Sequence, residues 1–435
     1  MKRPLIAVGS ILLAIAAAAF RVAGAGHTSP AVQQGPLTPV ADWSLEAQRA
    51  IVPPPAGVGD KFPGEAAVYM GIVHATMYDV AVAIHGGYRP YAVAPAAPAE
   101  TSAAAAIAAA AHGVLVELLP TQVEDLNNRY AGYLSRLPNN AAKTNGIVLG
   151  ERIATTILAM RANDGRIGEI QHVQPRFGPG LFEPDPARPV LGFRLSRIRP
   201  LALESPKQFR PAPPSPLGSQ EYAADFEEVR RFGRFDSDIR TDEQTNRALF
   251  WTDHDLRQWN DGLLRVAADR GLDLMQTARM LALAHVSGGD AMIACFDAKY
   301  HYMFWRPAAA IVLSGADGKS RTEPDATWRP LRTTPNHPEY PAAHACHTSA
   351  IVEALRAFFG TDEVRVSLDS RTTATTRTFN RLHEIVEEVE DARVFAGFHF
   401  RNSDRTGSRL GRDVARFVAA ERFRPVAGSG PPQRP

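Results

Sequence analysis

Apolar residues recur at helical spacing along most of this chain, and long alternating β-branched runs are scarce. That pattern predicts an all-α protein. It places helices at 64–84, 102–119, 121–136, 140–163, 220–232, 242–252, 255–270, 273–304, 344–359, 379–396 and 404–422. Residues 165–218 break the rhythm with many prolines and few periodic apolar positions, so they read as an extended excursion between two helical groups. The excursion is either a lid or a boundary. The expected organisation is a leader at 1–25, a helical region at 26–218 ending in the excursion, a second helical region at 219–426, and a disordered Gly- and Pro-rich tail at 427–435. The alanine run at 103–111 is followed closely by His112 and Glu117, which favours a buried helix over a membrane span. No repeat of short period is evident. The stretches MGIVHATMYDVAVA and LALAHVSGGDAMIAC nevertheless share a helical apolar, His and Asp pattern, which suggests two related bundles.

The first residues have the form of an export signal: Lys2 and Arg3, an apolar run at 5–20, and a small-residue cleavage site at Ala23-Gly24-Ala25. The run is shorter than the roughly 20 residues a spanning helix needs, and Arg21 interrupts it. A soluble periplasmic or extracellular protein is expected. Cleavage after Ala25 removes Lys2, Arg3 and Arg21 and no acidic residue, so the formal charge changes from +2 to −1. This balance gives no general basis for nucleic-acid binding or electrostatic membrane attachment. Cys295 and Cys346 are too few for a disulfide scaffold. They read as two buried thiols, with a single bridge as the alternative.

The residues that carry chemistry lie late, in three blocks. Lys299 and Arg306 are seven residues apart and flank Tyr300, Tyr302, Phe304 and Trp305. On a continuing helix their heads would share one face about 10 Å apart. Pro307 disfavours α geometry at Arg306, so the helix is expected to end or kink as the arginine is presented. In NHPEYPAAHACHTSA, Pro338 and Pro341 stop any earlier helix and a new one starts near His344. Amides at Ala342, Ala343 and His344 would be unpaired first-turn donors, and the small side chains would let an oxyanion approach them. His344 beside such an anion can transfer protons. His337 and His347 read as solvent-facing. In the third block Arg393 and His399 are six residues apart with Gly397 between them, which predicts a helix end that turns His399 back toward Arg393.

Brought together, three permanent cations and two imidazoles form a cage for an oxyanion such as phosphate or vanadate. Guanidinium groups recognise oxyanions in a fixed fork, and a neutral imidazole is both a metal ligand and a nucleophile.

Read in order, Lys-six-Arg-Pro, Pro-Ala-Ala-His and Arg-five-His resemble the signature shared by vanadium-dependent haloperoxidases and type 2 phosphatidic acid phosphatases. The stretches DAMIACFDAKYHYMFWRPAAAI, HPEYPAAHA and GFHFRNSD are most similar to the soluble bacterial haloperoxidase branch, over about residues 285–418 and more weakly over 64–84. The resemblance implies helical bundles holding vanadate. Lys299, Arg306, Arg393 and the amide of Ala343 would face its oxygens, and His399 would be the apical ligand to the metal. His344 would be the acid–base residue, and Lys299 would polarise bound peroxide. Hydrogen peroxide and a halide or small organic acceptor would be the partners, with no nucleic acid and no integral membrane association; homo-oligomers are left open. Two departures stand out. Ala342 and Ala343 replace the Ser and Gly of the pattern, which removes a hydroxyl bond to the anion worth roughly 1.5–3 kcal/mol. Ala392 and Ser403 stand where the pattern has a Ser before the Arg and an Asp four residues after the last His, leaving Asp404 as the candidate to orient His399.

The same cage serves an exported acid phosphatase with phosphate in place of vanadate, His399 as nucleophile and His344 as general acid. It also serves a non-catalytic oxyanion-binding protein. A redox-metal oxidase is disfavoured, because His74, His112 and His285 lack ligand spacing with a carboxylate.

Overall fold

The computed structural model describes residues 38–53, 61–168, 170, 176–314 and 322–426. The expected leader at 1–25 and tail at 427–435 lie outside the described residues. Thirteen α-helices and one two-stranded antiparallel sheet are found among the described residues, in the all-α architecture that periodicity predicts. In chain order they are α1 (Pro39–Ile51), α2 (Pro63–His85), α3 (Ala103–Leu118), α4 (Val123–Ser135), α5 (Ala141–Arg161), α6 (Gln220–Phe232), α7 (Asp242–Phe250), α8 (Asp255–Asp269), α9 (Leu274–Tyr302), α10 (Pro307–Leu313), α11 (Ala343–Phe359), β1 (Val366–Ser370), β2 (Thr375–Phe379), α12 (Leu382–Phe395) and α13 (Arg401–Glu421).

Four features differ from expectation. Helix α1 starts at a Thr38 cap followed by proline at its first position, a start signal that the periodicity passed over. At α10, Pro307 opens a new helix rather than only ending the old one. The β1–β2 hairpin takes the first residue assigned to the helix at 379–396; Val366 and Leu368 turn inward while most of β2 stays exposed. Helix α13 begins at Arg401, three residues before the expected start.

The core is continuous across the expected boundary at 218. Val73, Tyr78 and Ile107 belong to the same buried cluster as Leu283, Ile351 and Val414. The excursion is pinned to the second region by specific bonds. Leu191 N donates to Asn336 O at 2.9 Å, Phe182 N donates to Met303 O at 2.6 Å, and Tyr300 Oη donates to Leu191 O. The alanine run is buried in α3, as expected.

Two helix triplets are built alike. The His74 and His285 rings stack with centroids 4.4 Å apart where α2 crosses α9. Five residues on, Asp79 accepts the amides of Tyr91, Ala92 and Val93 at 2.5–2.9 Å, and Asp290 accepts those of Leu201, Ala202 and Leu203 at 2.6–2.9 Å. Each buried carboxylate thus fixes a loop that could not otherwise satisfy three amides. The partner helices repeat the match. A Cβ on Gly146 of α5 would meet the carbonyl of Ser102, the cap of α3, at 2.5 Å, and one on Gly407 of α13 would meet the carbonyl of Ala342, the cap of α11, at 2.5 Å. Gly150 and Gly411, one turn on, meet the Ala106 and Cys346 carbonyls in the same way. The α2–α3–α5 triplet therefore mirrors α9–α11–α13. Counting from these anchors, Tyr88, Ala104 and Pro138 are at the sequence offsets of Lys299, His344 and His399, although α2 ends at His85 and leaves Tyr88 beyond the helix. The scaffold is doubled, and the chemistry-bearing side chains belong to the second copy.

Candidate functional site

Helix α9 ends at Tyr302, where Met303 takes a left-handed conformation (φ 53°). The reversal brings Arg306 to the cap of α10 in extended geometry, as Pro307 requires. Lys299 and Arg306 therefore converge across a chain reversal rather than along one continuing helix face. Lys299 is 0% exposed and donates to Pro338 O at 2.9 Å and Glu339 O at 2.7 Å. Arg306 is 4% exposed; its Nε donates to His337 O at 2.9 Å and its Nη1 to Phe398 O at 3.0 Å. The same Nη1 lies 3.1 Å from His399 Nε2.

At the other end, α12 stops at Phe395 and Gly397 adopts φ 75°, with Phe398 N bonded to Arg393 O at 3.1 Å. This is the turn that Gly397 predicts. It carries His399 back into the cluster, where it feels the charges of Arg306, Lys299 and Arg393. Arg393 is 2% exposed, donates through Nη1 to Trp251 O at 2.7 Å, and lies 4.7 Å from the Phe398 ring centroid. Ala342 caps α11, with Ala343 and His344 in its first turn. Contrary to expectation, the Ala342 amide is not a free donor, because it bonds to Ser403 O at 3.0 Å. The amides of Ala343 and His344 remain at the open end of the helix, which has no earlier carbonyls to accept them.

The histidines around the cage depart from the solvent-facing reading. His337 and His347 are 4% and 1% exposed. His337 lies against the Arg306 guanidinium at 3.1 Å, and His347 Nδ1 lies 3.0 Å from Asp255 Oδ2. Proline-flanked and first-turn positions suggest exposure only when nothing packs over them, and here α9 and α8 do. Burial and the imidazoles of His347, His344 and His254 pull the Asp255 carboxyl in opposite directions, and the imidazoles win, holding it below its usual range.

Glu339 was not foreseen. It is 0% exposed; Oε1 accepts from His399 Nδ1 at 2.9 Å and from Phe400 N at 3.0 Å, while Oε2 accepts from Ser403 Oγ at 2.6 Å. The expected orienter, Asp404, makes no hydrogen bond with either carboxyl oxygen among the described residues. One residue of helical rotation past Ser403 carries its side chain away from His399. The sequence did hold a signal for Glu339: an acid between two prolines, inside the block that also holds His344.

Burial dominates the electrostatics. It lowers Lys299 to about 8, and lowers Arg306 and Arg393 each to about 10. It raises Glu339 to about 7 and Asp404 well above the usual carboxylate range. His344 is lowered to about 3 by burial and then by Arg393. A buried ion costs several kcal/mol, and a carbonyl bond to a charged group returns about 1.5–3 kcal/mol. Two carbonyls do not neutralise an ammonium. The pocket thus holds more buried positive than negative charge. Arg393 Nε and His344 Nε2 are buried with no hydrogen-bond partner among the described residues. Cys295 and Cys346 are buried free thiols beneath the cage.

Residues 279–428 match the family model of the VCPO second helical-bundle domain. No curated protein matches the chain. Among solved structures, the first bacterial vanadium-dependent iodoperoxidase is similar with a TM-score of 0.72 and 21% identity, over 91% of this chain and 100% of that one. The holo form of a bacterial vanadium-dependent chloroperoxidase gives 0.67 at 16% identity, over 86% and 95% of the two chains. The apo form gives 0.67 at 15% identity, over 81% and 92%. With that domain match at residues 279–428, the chain as a whole has the fold of the bacterial vanadium-dependent haloperoxidases.

Proposed function

We propose that this protein is a vanadium-dependent haloperoxidase that oxidises halide with hydrogen peroxide. One observation carries the reading: Lys299, Arg306 and Arg393 are buried around a neutral His399 whose only carboxylate contact among the described residues is Glu339. That excess of positive charge fits an oxyanion. The orphaned Arg393 Nε and His344 Nε2 add two polar atoms that await a partner.

In this reading His399 would hold vanadium through the nitrogen that keeps its lone pair, and Lys299, Arg306, Arg393 and the Ala343 amide would pair with the oxygens of vanadate. Bound vanadate supplies a Lewis-acidic centre that activates hydrogen peroxide without changing its own oxidation state. His344 is neutral, with its basicity held down first by burial and then by Arg393, and it would become the proton acceptor for a peroxide or water beside it once an oxyanion pairs with Arg393. Lys299 supplies a fixed charge where negative charge develops, and its burial strengthens that interaction. The structural likeness to iodo- and chloroperoxidases supports the same chemistry. We also place the mature chain outside the cytoplasm, on the leader-like residues 1–25; fractionation of cells expressing the full chain tests that.

The experiment is done on one preparation reconstituted with orthovanadate. Peroxide-dependent oxidation of bromide or iodide is measured beside hydrolysis of an aryl phosphate. Halide oxidation is the expected result. Phosphate release without it would make the protein a phosphatase acting through His399, and oxyanion binding with neither activity would make it a binding protein.

A further inference from the structure

We propose that Glu339 is the positioning residue that prepares His399 for its ligand and couples it to Lys299. The inference rests on the reading of His399 as the residue that meets the oxyanion.

An ionised Glu339 accepts and does not donate, so in that state the 2.9 Å contact between Glu339 Oε1 and His399 Nδ1 places the ring proton on Nδ1. Nε2 then keeps its lone pair. Arg306 Nη1 imposes the same choice independently, because a guanidinium 3.1 Å from Nε2 can only donate to it. The Glu339 side chain has no slack: Oε1 also takes the Phe400 amide at 3.0 Å, and Oε2 takes the Ser403 hydroxyl at 2.6 Å. The imidazole is therefore anchored to the first turn of α13, with Ser403 closing the bond pattern. The main chain of the same residue reaches the other side of the cage. Its carbonyl accepts from Lys299 Nζ at 2.7 Å and its amide donates to Phe304 O at 2.9 Å. Any shift of Glu339 thus moves the ammonium and the imidazole together. Asp404, the other buried acid nearby, bonds neither group.

The test begins with the tautomer, read by 15N NMR of histidine-labelled protein without vanadate. We expect His399 to carry its proton on Nδ1 in the wild type and in Glu339→Gln, whose amide oxygen can still accept it. In Glu339→Leu only Arg306 still favours that tautomer, and the Nδ1–H signal should shift because it has lost its acceptor. Orthovanadate and inorganic phosphate affinities follow by equilibrium dialysis. Glu339→Gln should stay within about fivefold of wild type, and Glu339→Leu should bind about 10–100-fold more weakly. A wild-type His399 protonated on Nε2 sinks the proposal whatever the variants do, including a Leu variant that fails to fold. A folded Leu variant with an unchanged Nδ1–H signal and unchanged affinity sinks it as well. If the wild type shows the Nδ1 proton but binds neither oxyanion, the functional reading fails while the positioning role of Glu339 stands.

Discussion

Arg306 Nη1 stands 3.1 Å from His399 Nε2, so a cation covers the lone pair that the site would offer a ligand. Even lowered to about 10, the guanidinium is protonated at neutral pH, and the imidazole accepts from it. When an oxyanion arrives, Arg306 can redirect that N–H to an oxygen and exchange one charge-assisted bond for another. Lysine cannot reproduce the fork. Arg306→Lys should weaken phosphate and vanadate binding about 10–100-fold, the equivalent of losing one bond of roughly 1.5–3 kcal/mol. Equilibrium dialysis decides, and unchanged affinity would show that the anion binds elsewhere.

The pH dependence follows from Lys299, which burial lowers from the usual 10.5 to about 8. Because the folded value lies below the unfolded one, the native state holds fewer protons between about pH 8 and 10.5. The stability carried by this group is complete above about pH 10.5 and is lost as pH falls through about 8, a change of roughly 3 kcal/mol. A bound dianion reverses the preference by pairing with the charged amine. Saturating phosphate should therefore raise Tm more at about pH 7.5 than at about pH 10. Lys299→Met should flatten that difference. Calorimetric scans with and without phosphate at both pH values test the sign.

His344 has a different task. It is neutral, and its Nε2 has no partner among the described residues, so it adds little charge to the cage. His344→Ala should change phosphate affinity less than threefold or so while lowering halide oxidation by about 10²-fold or more, the usual span for a lost acid–base group. Loss of binding in step with turnover would move His344 from proton transfer to anion recognition.

The convergence of Lys299, Arg306, Arg393, His344 and His399 was legible because cations embedded among aromatics, and histidines close to a proline or glycine, are hard to place on a plain surface. Their partners were not. Glu339 sits in a proline-bounded loop with no periodicity to announce its direction, so an orienter for His399 was sought downstream, at Asp404. Tertiary packing settled the matter by giving Ser403 to Glu339 and turning Asp404 away. The burial of His337 and His347 is hidden for the same reason, since the sequence gives no sign that other helices pack over them. Pro307 was read as an ending when it also serves as a beginning. The shared pattern around His74 and His285 did foretell the doubled scaffold, although the glycine pairs that lock it became meaningful only when the helices were seen touching.

Ala342 tests whether the missing hydroxyl matters. It caps α11 without any side-chain bond and is fully buried. In Ala342→Ser the new hydroxyl can accept a first-turn amide, worth about 1 kcal/mol of stability, or reach an oxyanion. A rise in Tm without ligand, with unchanged phosphate affinity, identifies the first use. A roughly tenfold tighter phosphate complex identifies the second.

The doubled scaffold supplies its own control. Gly146→Ala and Gly407→Ala insert the same methyl group at equivalent contacts, each about 2.5 Å from a carbonyl on the facing helix. Overpacking of this kind costs about 1–3 kcal/mol, so both variants should lose similar denaturant stability. Their effects on the site should differ. Gly407 faces Ala342, the cap of the helix whose first turn presents Ala343 and His344. Pushing α11 away there displaces the anion donors, whereas the matching contact at Ser102 leads to Ala104, which has nothing to present. Phosphate affinity should fall in Gly407→Ala and hold in Gly146→Ala, measured where both remain folded. Equal losses of affinity would mean that general loosening, rather than the placement of the α11 first turn, controls the cage.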